Sequence, residues 1–142
     1  MKISGILASK GSSVITAAPS TSVADFLRLL AEHRIGAVLV MSDEQLAGII
    51  SERDVVLRLA EAGAPALDQP ISELMTAELI TCALEDSLDD IAELMTERRI
   101  RHLPVLDGGE LVGIVSIGDV VAARLRELEQ TQAQLESYIT HG

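Results

Sequence analysis

Short apolar runs alternate along this chain with segments of helical periodicity, which predicts alternating strands and helices. Residues 14–17 form a first apolar run and predict a short strand. Residues 23–34 predict an amphipathic helix with Ser22 as its N-cap, because their apolar side chains recur once per turn. Those side chains are Val23, Phe26, Leu27, Leu30 and Ala31.

A β-hairpin is predicted next, because two short apolar runs are joined by a polar link. The runs are residues 37–41 and 46–50, and residues 42–45 connect them. A further helix is predicted over residues 52–62, where Gly63 and the proline that follows end it. The order of elements up to this point is β-α-β-β-α.

The same order is predicted a second time, because the sequence repeats itself 65 residues later. Residues 15–56 align with residues 80–121 without a gap, at about 40% identity. Both copies end in a Gly-x-x-Ser-x-x-Asp tail, Gly48–Asp54 in the first and Gly113–Asp119 in the second. The second copy predicts strands at 79–82, 102–106 and 111–115, a helix after Ser87, a turn at 107–109 and a final helix from Ser116.

The duplication predicts an α/β fold of the α+β type and sets the expected domain boundaries. We expect repeat 1 at residues 1–62, a linker at 63–70, repeat 2 at 71–125 and a helical extension at 126–142. Each repeat begins with a similar lead-in turn or helix, since the sequence ISGIL near the N-terminus resembles ISELM before the second repeat.

The final helix is predicted to extend more than ten residues beyond its counterpart in the first repeat. Apolar side chains on it alternate spacings of four and three, which is the seam of a coiled coil with one polar member. The seam consists of Val121, Leu125, Leu128, Gln132, Leu135 and Ile139. A helix packed on its own domain is the alternative, and we favour a contact between two subunits in a homodimer.

Charge and composition narrow the classes of function. The formal net charge is −11, and no stripe of Lys and Arg with interleaved aromatic residues appears, so we expect no nucleic-acid partner. Phe26 and Tyr138 are the only aromatic residues, so a flat ligand would rest on aliphatic walls. The single Cys82 excludes an intramolecular disulfide, and we interpret it as a core residue.

Targeting and catalytic motifs are also missing from the sequence. No segment has the ~20 apolar residues of a membrane span, and the apolar run near the start is too short for a signal peptide. We therefore expect no membrane partner and a cytoplasmic location. No phosphate-binding loop, dinucleotide fingerprint or zinc-protease motif occurs, and the three histidines are scattered, so we expect no enzymatic activity.

The Ser and Asp residues of the repeated tail are the main candidates for binding chemistry. Ser51 and Ser116 are expected at the first turn of a helix, where hydroxyl and free N–H groups can face an anion. Asp54 and Asp119 follow three residues later, where a carboxylate can accept hydrogen bonds from both ribose hydroxyl groups. The same residues can simply cap their helices, and local chemistry alone favours that capping role. The recurrence of the Ser–Asp pair in both repeats favours a contact with a ligand.

These motifs together resemble a tandem pair of CBS domains, a Bateman module. The resemblance covers roughly residues 3–125, through ISELMT, ERRIRHLPV and GIVSIGD in the second repeat and IGAVLV and GIISERD in the first. It implies two repeats packed with pseudo-twofold symmetry, two clefts for adenine nucleotides, and homodimers. AMP, ADP or ATP are the implied ligands, NAD(H) and S-adenosylmethionine are further candidates, and the effector would be a separate protein.

The resemblance also implies which residues contact the ribose and the phosphate of the nucleotide. It places Asp54 and Asp119 on ribose, and it places the basic residues before the middle strand of the second repeat, Arg101 and His102, on phosphate. Lys10, beside a Gly-Ser-Ser sequence, is compatible with a phosphate contact, but a surface loop is the favoured interpretation.

The first repeat departs from this pattern, so the two clefts are expected to differ. It has Gly36 and Ala37 in place of the basic pair, which leaves Arg53 as its best phosphate donor. Thr16 and Thr81 belong to segments that would line the base slot of each cleft.

The sequence leaves two functions open. A third possibility, an enzyme that acts on nucleotides, is required by no feature of the sequence. The first is a regulatory module that binds adenine nucleotides and signals to a partner protein. The second is a ligand-free dimeric scaffold that acts through its C-terminal helix. The presence of both Ser–Asp pairs favours the first function.

Overall fold

The computed structural model describes residues 1–141 and confirms the α+β fold predicted for each repeat. The helices are α1 (Ile3–Lys10), α2 (Val23–His33), α3 (Glu52–Ala62), α4 (Leu88–Arg98) and α5 (Ile117–His141). The strands are β1 (Thr16–Ala17), β2 (Ala37–Ser42), β3 (Gln45–Ser51), β4 (Cys82–Ala83), β5 (His102–Asp107) and β6 (Glu110–Ser116). Short 3₁₀ turns lie at Ala64–Asp68 and Ile71–Glu73. β1 and β4 are shorter than predicted, because only two residues of each pair with the neighbouring strand.

Two three-stranded sheets repeat one topology. β1 runs parallel to β2, which forms an antiparallel hairpin with β3, and β4, β5 and β6 follow the same order. In the hairpins Ala37 lies opposite Ser51, and His102 lies opposite Ser116. The first residue of each middle strand therefore lies beside the residue that immediately precedes α3 or α5.

Both hairpins turn through two residues in the left-handed region. Gly108 and Gly109 have φ of 59° and 85°, and Asp43 and Glu44 have φ of 50° and 65°. A two-residue turn whose twist matches the strands requires positive φ at both positions, which glycine adopts without steric cost. The first hairpin makes the same turn with two residues that have a Cβ.

Aliphatic side chains form the interior, as the composition predicts. Phe26 is fully buried on α2, and Cys82 is buried, as predicted for a core residue. Ser22 and Ser87 cap α2 and α4, since each hydroxyl accepts a 3.1 Å hydrogen bond from the backbone N–H three residues later. The buried cluster around Phe26 comprises Val23, Leu30, Val38, Val40, Ile50, Val55 and Ile71.

The chain divides into two compact units that do not follow sequence order. The Asp54 unit is Ser13–Ile80, and the Asp119 unit is Met1–Ser12 together with the chain from Thr81 onward. The expected boundaries at 62, 70 and 125 follow the repeats in sequence, whereas these units follow contacts in space.

The two lead-in segments dock at equivalent places in their own units. In the Asp119 unit, the N–H groups of Ile3 and Ser4 donate to the carbonyls of Asp86 and Leu84, both at 2.9 Å. In the Asp54 unit, the N–H groups of residues 71 and 72 donate to the carbonyls of residues 21 and 19, at 2.8 and 3.2 Å. Residues 21 and 19 are the repeat counterparts of 86 and 84, so the docking is the same.

Each lead-in packs closely against a glycine of the Gly-x-x-Ser-x-x-Asp tail. A Cβ on Gly113 would lie 2.8 Å from both methyl groups of Leu7. A Cβ on Gly48 would lie 2.6 Å from the sulfur of Met75 and 2.8 Å from the carbonyl oxygen of Thr76. The glycines at the start of each tail are therefore required by the approach of the lead-in.

The predicted long final helix is confirmed as α5, which spans 25 residues. Its apolar stripe is exposed: Leu128 is 59% exposed and Ile139 is 79% exposed. None of the helices within residues 1–141 is long and apolar enough to cross a membrane.

Candidate functional site

The two Ser–Asp pairs lie where a strand ends and a helix begins. Asp54 Oδ2 accepts hydrogen bonds from the Ser51 N–H at 2.8 Å and the Ser51 hydroxyl at 3.2 Å. Asp119 Oδ2 accepts from the Ser116 N–H at 2.8 Å, and the Ser116 hydroxyl accepts from the Asp119 N–H at 3.1 Å. The capping role considered from the sequence is thus present in both units.

Capping uses only one oxygen of each carboxylate. Within residues 1–141, the hydrogen bonds to Asp54 and Asp119 go to Oδ2, and both side chains are half-buried rather than enclosed. Oδ1 of each carboxylate can therefore accept a hydrogen bond from a ligand while the helix cap stays intact. The capping role and the binding role do not exclude each other.

Lys10 forms an ion pair with Asp119, and this contact distinguishes the Asp119 unit from the Asp54 unit. Its ammonium donates to Asp119 Oδ2 at 2.7 Å and to the Ile114 carbonyl at 2.9 Å. Burial alone would raise the pKa of Asp119, but hydrogen bonds from Lys10 and Ser116 and the charge of Lys10 together hold that pKa below its usual range. The Asp119 carboxylate is therefore ionised at neutral pH and paired with a cation.

In the Asp54 unit, a backbone N–H group takes the place of the Lys10 ammonium. The Ile49 carbonyl, the counterpart of the Ile114 carbonyl, accepts from the Thr76 N–H at 2.9 Å, and the Ile49 N–H donates to the Thr76 carbonyl at 3.0 Å. No Lys or Arg among the described residues forms an ion pair with Asp54. The two carboxylates thus have the same cap and different charge environments.

The predicted basic pair of the second repeat lies at the same edge as Asp119. The Arg101 carbonyl accepts from the Ile117 N–H at 2.8 Å, which holds the Arg101 backbone at the start of α5 while its side chain is exposed. His102 is half-buried and lies opposite Ser116. Thr81 is exposed and precedes β4, which runs parallel to β5. The structure therefore gathers most of the predicted site residues of this unit.

In the Asp54 unit the corresponding edge carries fewer cations. The Gly36 carbonyl accepts from the Glu52 N–H at 3.0 Å and takes the place of the Arg101 carbonyl. Arg53 is exposed in the first turn of α3, beside Asp54 in the sequence. Thr16 is exposed on β1 and pairs with Leu39.

Sequence reasoning missed the role of Lys10. It placed Lys10 in a surface loop, whereas the structure makes it the last residue of α1 and the partner of Asp119. The likeness of the two lead-ins was visible, but nothing in the sequence shows that residues 1–12 fold with the second repeat. No group of three or more His, Cys, Asp or Glu that could hold a metal occurs within residues 1–141.

Comparison with protein-family models gives two matches to the CBS domain, over residues 8–61 and 71–126. The CBS domain-containing protein CBSX3 of Arabidopsis thaliana, named as mitochondrial, is 34% identical over 99% of this chain and 72% of its own length. Among solved structures, the CBS-domain containing protein ATU1752 of Agrobacterium tumefaciens is 41% identical. It has a TM-score of 0.86 and covers 87% of this chain and 99% of its own.

Another similar structure was solved with bound ligands. The CBS domain pair of protein MJ0100 was solved in complex with 5′-methylthioadenosine and S-adenosyl-L-methionine. It is 27% identical to this chain, with a TM-score of 0.77, and covers 91% of this chain and 98% of its own. Both of its ligands contain an adenosine group.

Proposed function

The chain belongs to the CBS domain family, and on that premise we propose that it is a non-catalytic regulatory module that binds an adenine nucleotide. One observation carries this proposal. Asp54 and Asp119 each cap a helix through Oδ2 and keep Oδ1 available beside a helix N-terminus. A duplicated carboxylate in that position suits the vicinal hydroxyl groups of a ribose.

The surrounding groups suit a phosphate next to the ribose. The positive end of the α5 helix dipole attracts an anion, and the exposed side chain of Arg101 and the half-buried His102 add donors at the same edge. AMP satisfies these requirements, and ADP, ATP and NAD(H) contain the same adenosine monophosphate group. The ligands of the MJ0100 structure support the adenosine part of this assignment.

We assign the regulatory effect to a shift between conformations. A ligand shifts such an equilibrium only in proportion to its difference in affinity for the two states. A separate effector protein in the cytoplasm would respond to the shift, so that the module reports the energy or redox state of the cell.

The test is thermal unfolding of the purified protein with AMP, ADP, ATP, NAD⁺, NADH and S-adenosylmethionine. A ligand at 100 times its Kd stabilises the folded state by about 2.7 kcal/mol, which is readily measured. Asp119→Ala should reduce the stabilisation by the selected nucleotide. Asp90→Ala is the matched control, because Asp90 also follows a capping serine, Ser87, by three residues, on α4.

Two outcomes would contradict the proposal. One is the absence of stabilisation by all six compounds in protein freed of carried-over nucleotide. The other is an equal loss of stabilisation in the Asp119→Ala and Asp90→Ala variants, which would show a general effect of removing a carboxylate rather than a site.

The exposed stripe of α5 favours a second candidate, a dimeric scaffold, which is compatible with the first. The exposed positions of the heptad seam are Val121, Leu125, Leu128, Leu135 and Ile139. A second copy of the chain is the partner that we propose for this stripe, because a heptad seam of one helix is complementary to the same seam of another.

Light scattering after size-exclusion chromatography measures the oligomeric state and so tests whether the heptad seam of α5 is a dimer interface. The double change Leu128→Glu and Leu135→Glu should convert a dimer into a monomer, while Gln134→Glu, outside the seam, should not. A dimer that persists in the double variant would show that α5 is not the interface.

A further inference from the structure

The Asp119 site and the Asp54 site differ in charge although their caps are alike. At the Asp119 site, two cations, Lys10 and Arg101, accompany one carboxylate. Lys10 is in direct contact with Asp119, and its side chain is only 31% exposed. The edge of this unit where α5 begins is therefore favourable for an anion.

The Asp54 site has the opposite balance. Two carboxylates, Glu52 and Asp54, accompany one cation, Arg53, in the first turn of α3. Arg53 is exposed, so its charge is screened by water and acts weakly over distance. An anion at this site would meet a net negative charge.

The cause of the difference is the path of the lead-in segment. α1 stays helical through Lys10, and the Lys10 ammonium satisfies the Ile114 carbonyl. In the other unit the lead-in leaves its 3₁₀ turn after Glu73, and Thr76 satisfies the counterpart carbonyl with a backbone N–H. One unit thus has an ammonium group where the other has a peptide group.

We propose that Lys10 is a ligand-binding residue that makes the Asp119 site selective for an adenosine bearing a 5′-phosphate. The proposal rests on the proposed function and adds the residue that decides which of the two sites accepts a charged ligand. The Asp54 site, without this lysine, accepts adenosine derivatives that have no negative charge at the 5′ position.

The geometry of the ammonium group leaves a donor for the ligand. A lysine ammonium has three N–H donors, and Lys10 uses two, one on Asp119 and one on the Ile114 carbonyl. The third donor and the flexible four-carbon stem can reach a phosphate held at the start of α5. Lys10 also neutralises Asp119, so that the carboxylate can bind the ribose without repelling the phosphate beside it.

Isothermal titration calorimetry with AMP and with adenosine tests the proposal, because these two compounds differ only in the phosphate. An Asp54→Ala background isolates the Asp119 site, and an Asp119→Ala background isolates the Asp54 site. In the first background, Lys10→Met should weaken AMP binding by about tenfold or more and change adenosine binding by less than about threefold. In the second background, Lys10→Met should change neither affinity.

Lys2→Met is the matched control, since Lys2 forms a more exposed ion pair with Glu85 in the same unit and lies away from Asp119. It should leave AMP binding unchanged. Circular dichroism of each variant checks that α1 remains folded, and Lys10→Arg, which keeps the charge, should retain most of the AMP affinity. NAD⁺ titrations in the same backgrounds show whether the 5′-phosphate is recognised when it belongs to a dinucleotide.

The failures of the two proposals are distinguishable. If the unaltered protein binds neither adenosine nor any of AMP, ADP, ATP, NAD⁺, NADH and S-adenosylmethionine, the proposed function is wrong. If the unaltered protein binds AMP and Lys10→Met weakens AMP and adenosine equally, or neither, the role assigned to Lys10 is wrong and the proposed function stands.

Discussion

Lys10 and Asp119 are 109 positions apart in the sequence, and the Lys10 ammonium lies 2.7 Å from the Asp119 carboxylate. The pair joins the last residue of α1 to the first turn of α5 within one compact unit. Both side chains are partly shielded, with exposures of 31% and 22%, so the ion pair is screened less than one at an open surface. The pair therefore contributes both to stability and to the charge of the candidate site.

Asp119→Asn should remove a pH-dependent part of the stability. The folded-state pKa of Asp119 lies below its ordinary value of 3.8, so the carboxylate stabilises the fold fully above that value and loses this effect as pH falls through the lower, folded-state pKa. We expect Asp119→Asn to lower the free energy of unfolding by about 1 kcal/mol at pH 7. Urea denaturation from pH 7 to pH 2.5 measures the difference between the variant and the unaltered protein.

That difference should shrink at the acid end of the range. Asp90→Asn, in the equivalent cap of α4, is the control for removal of a carboxylate from a helix N-terminus. A difference between Asp119→Asn and the unaltered protein that stays constant down to pH 2.5 would show that the charge of Asp119 does not stabilise the fold.

Alanine at the two tail glycines should destabilise the protein unequally. At Gly113 the new methyl group meets the methyl groups of Leu7, and overpacking of this kind typically costs about 1–3 kcal/mol. At Gly48 it also meets the Thr76 carbonyl oxygen, which is held in a backbone hydrogen bond and cannot rotate away. We therefore expect Gly48→Ala to lower the melting temperature more than Gly113→Ala.

Two further variants test the packing explanation. Gly5→Ala on α1 meets only Met1 at 3.4 Å, so it should be neutral or stabilising. Combining Gly113→Ala with Leu7→Ala should cost less than the sum of the single changes, since the second removes the atoms that clash. Additive costs would contradict the close contact between Leu7 and Gly113.

Glycine in the first hairpin should stabilise the Asp54 unit. Glu44 has φ of 65°, and its repeat counterpart Gly109 has φ of 85°. A residue with a Cβ in the left-handed region costs about 1–2 kcal/mol, so Glu44→Gly should raise the free energy of unfolding by up to about 1 kcal/mol after the entropic cost of glycine. Denaturant titration measures the effect, and Gly109→Ala should change stability in the opposite direction. A loss of stability in Glu44→Gly would contradict the cost assigned to the turn.

Cys82 should be unreactive in the folded protein. Burial, with a smaller effect from the charge of Asp86, raises the pKa of the thiol to about 11, and the side chain is 5% exposed. The thiolate is the reactive form, so a disulfide reagent at pH 8 should label the native protein far more slowly than the urea-unfolded protein. Equal labelling rates would show that β4 opens readily or that the thiol is accessible.

Local patterns were sufficient to predict most elements of this structure. Ser22 and Ser87 cap α2 and α4 as expected, because an N-cap depends only on the residues that follow it. The hairpins and α5 were likewise predicted from periodicity and turn residues. The lengths of β1 and β4 were not, because the end of a strand depends on how far its neighbour pairs with it.

The site was predicted only in part, and the missing part is non-local. Sequence spacing identified Asp119 and Ser116, which lie three residues apart. It could not identify Lys10 as the partner of Asp119, because that contact depends on α1 docking beside β6 rather than in the repeat it precedes. Comparison of the two repeats could not predict the Lys10 contact either, since in the first unit the counterpart carbonyl of Ile49 accepts a hydrogen bond from a backbone N–H group.

The grouping of residues 1–12 with the chain after Thr81 has a consequence for how the protein is made. The Asp54 unit is continuous, so it can form on the ribosome as soon as residue 80 has emerged. α1 leaves the ribosome before this unit, yet the surface of β6 and α5 that it packs against is synthesised after this unit. Until then the side chains of Ile3, Ile6 and Leu7, which are buried in the folded protein, stay exposed to chaperones and to aggregation.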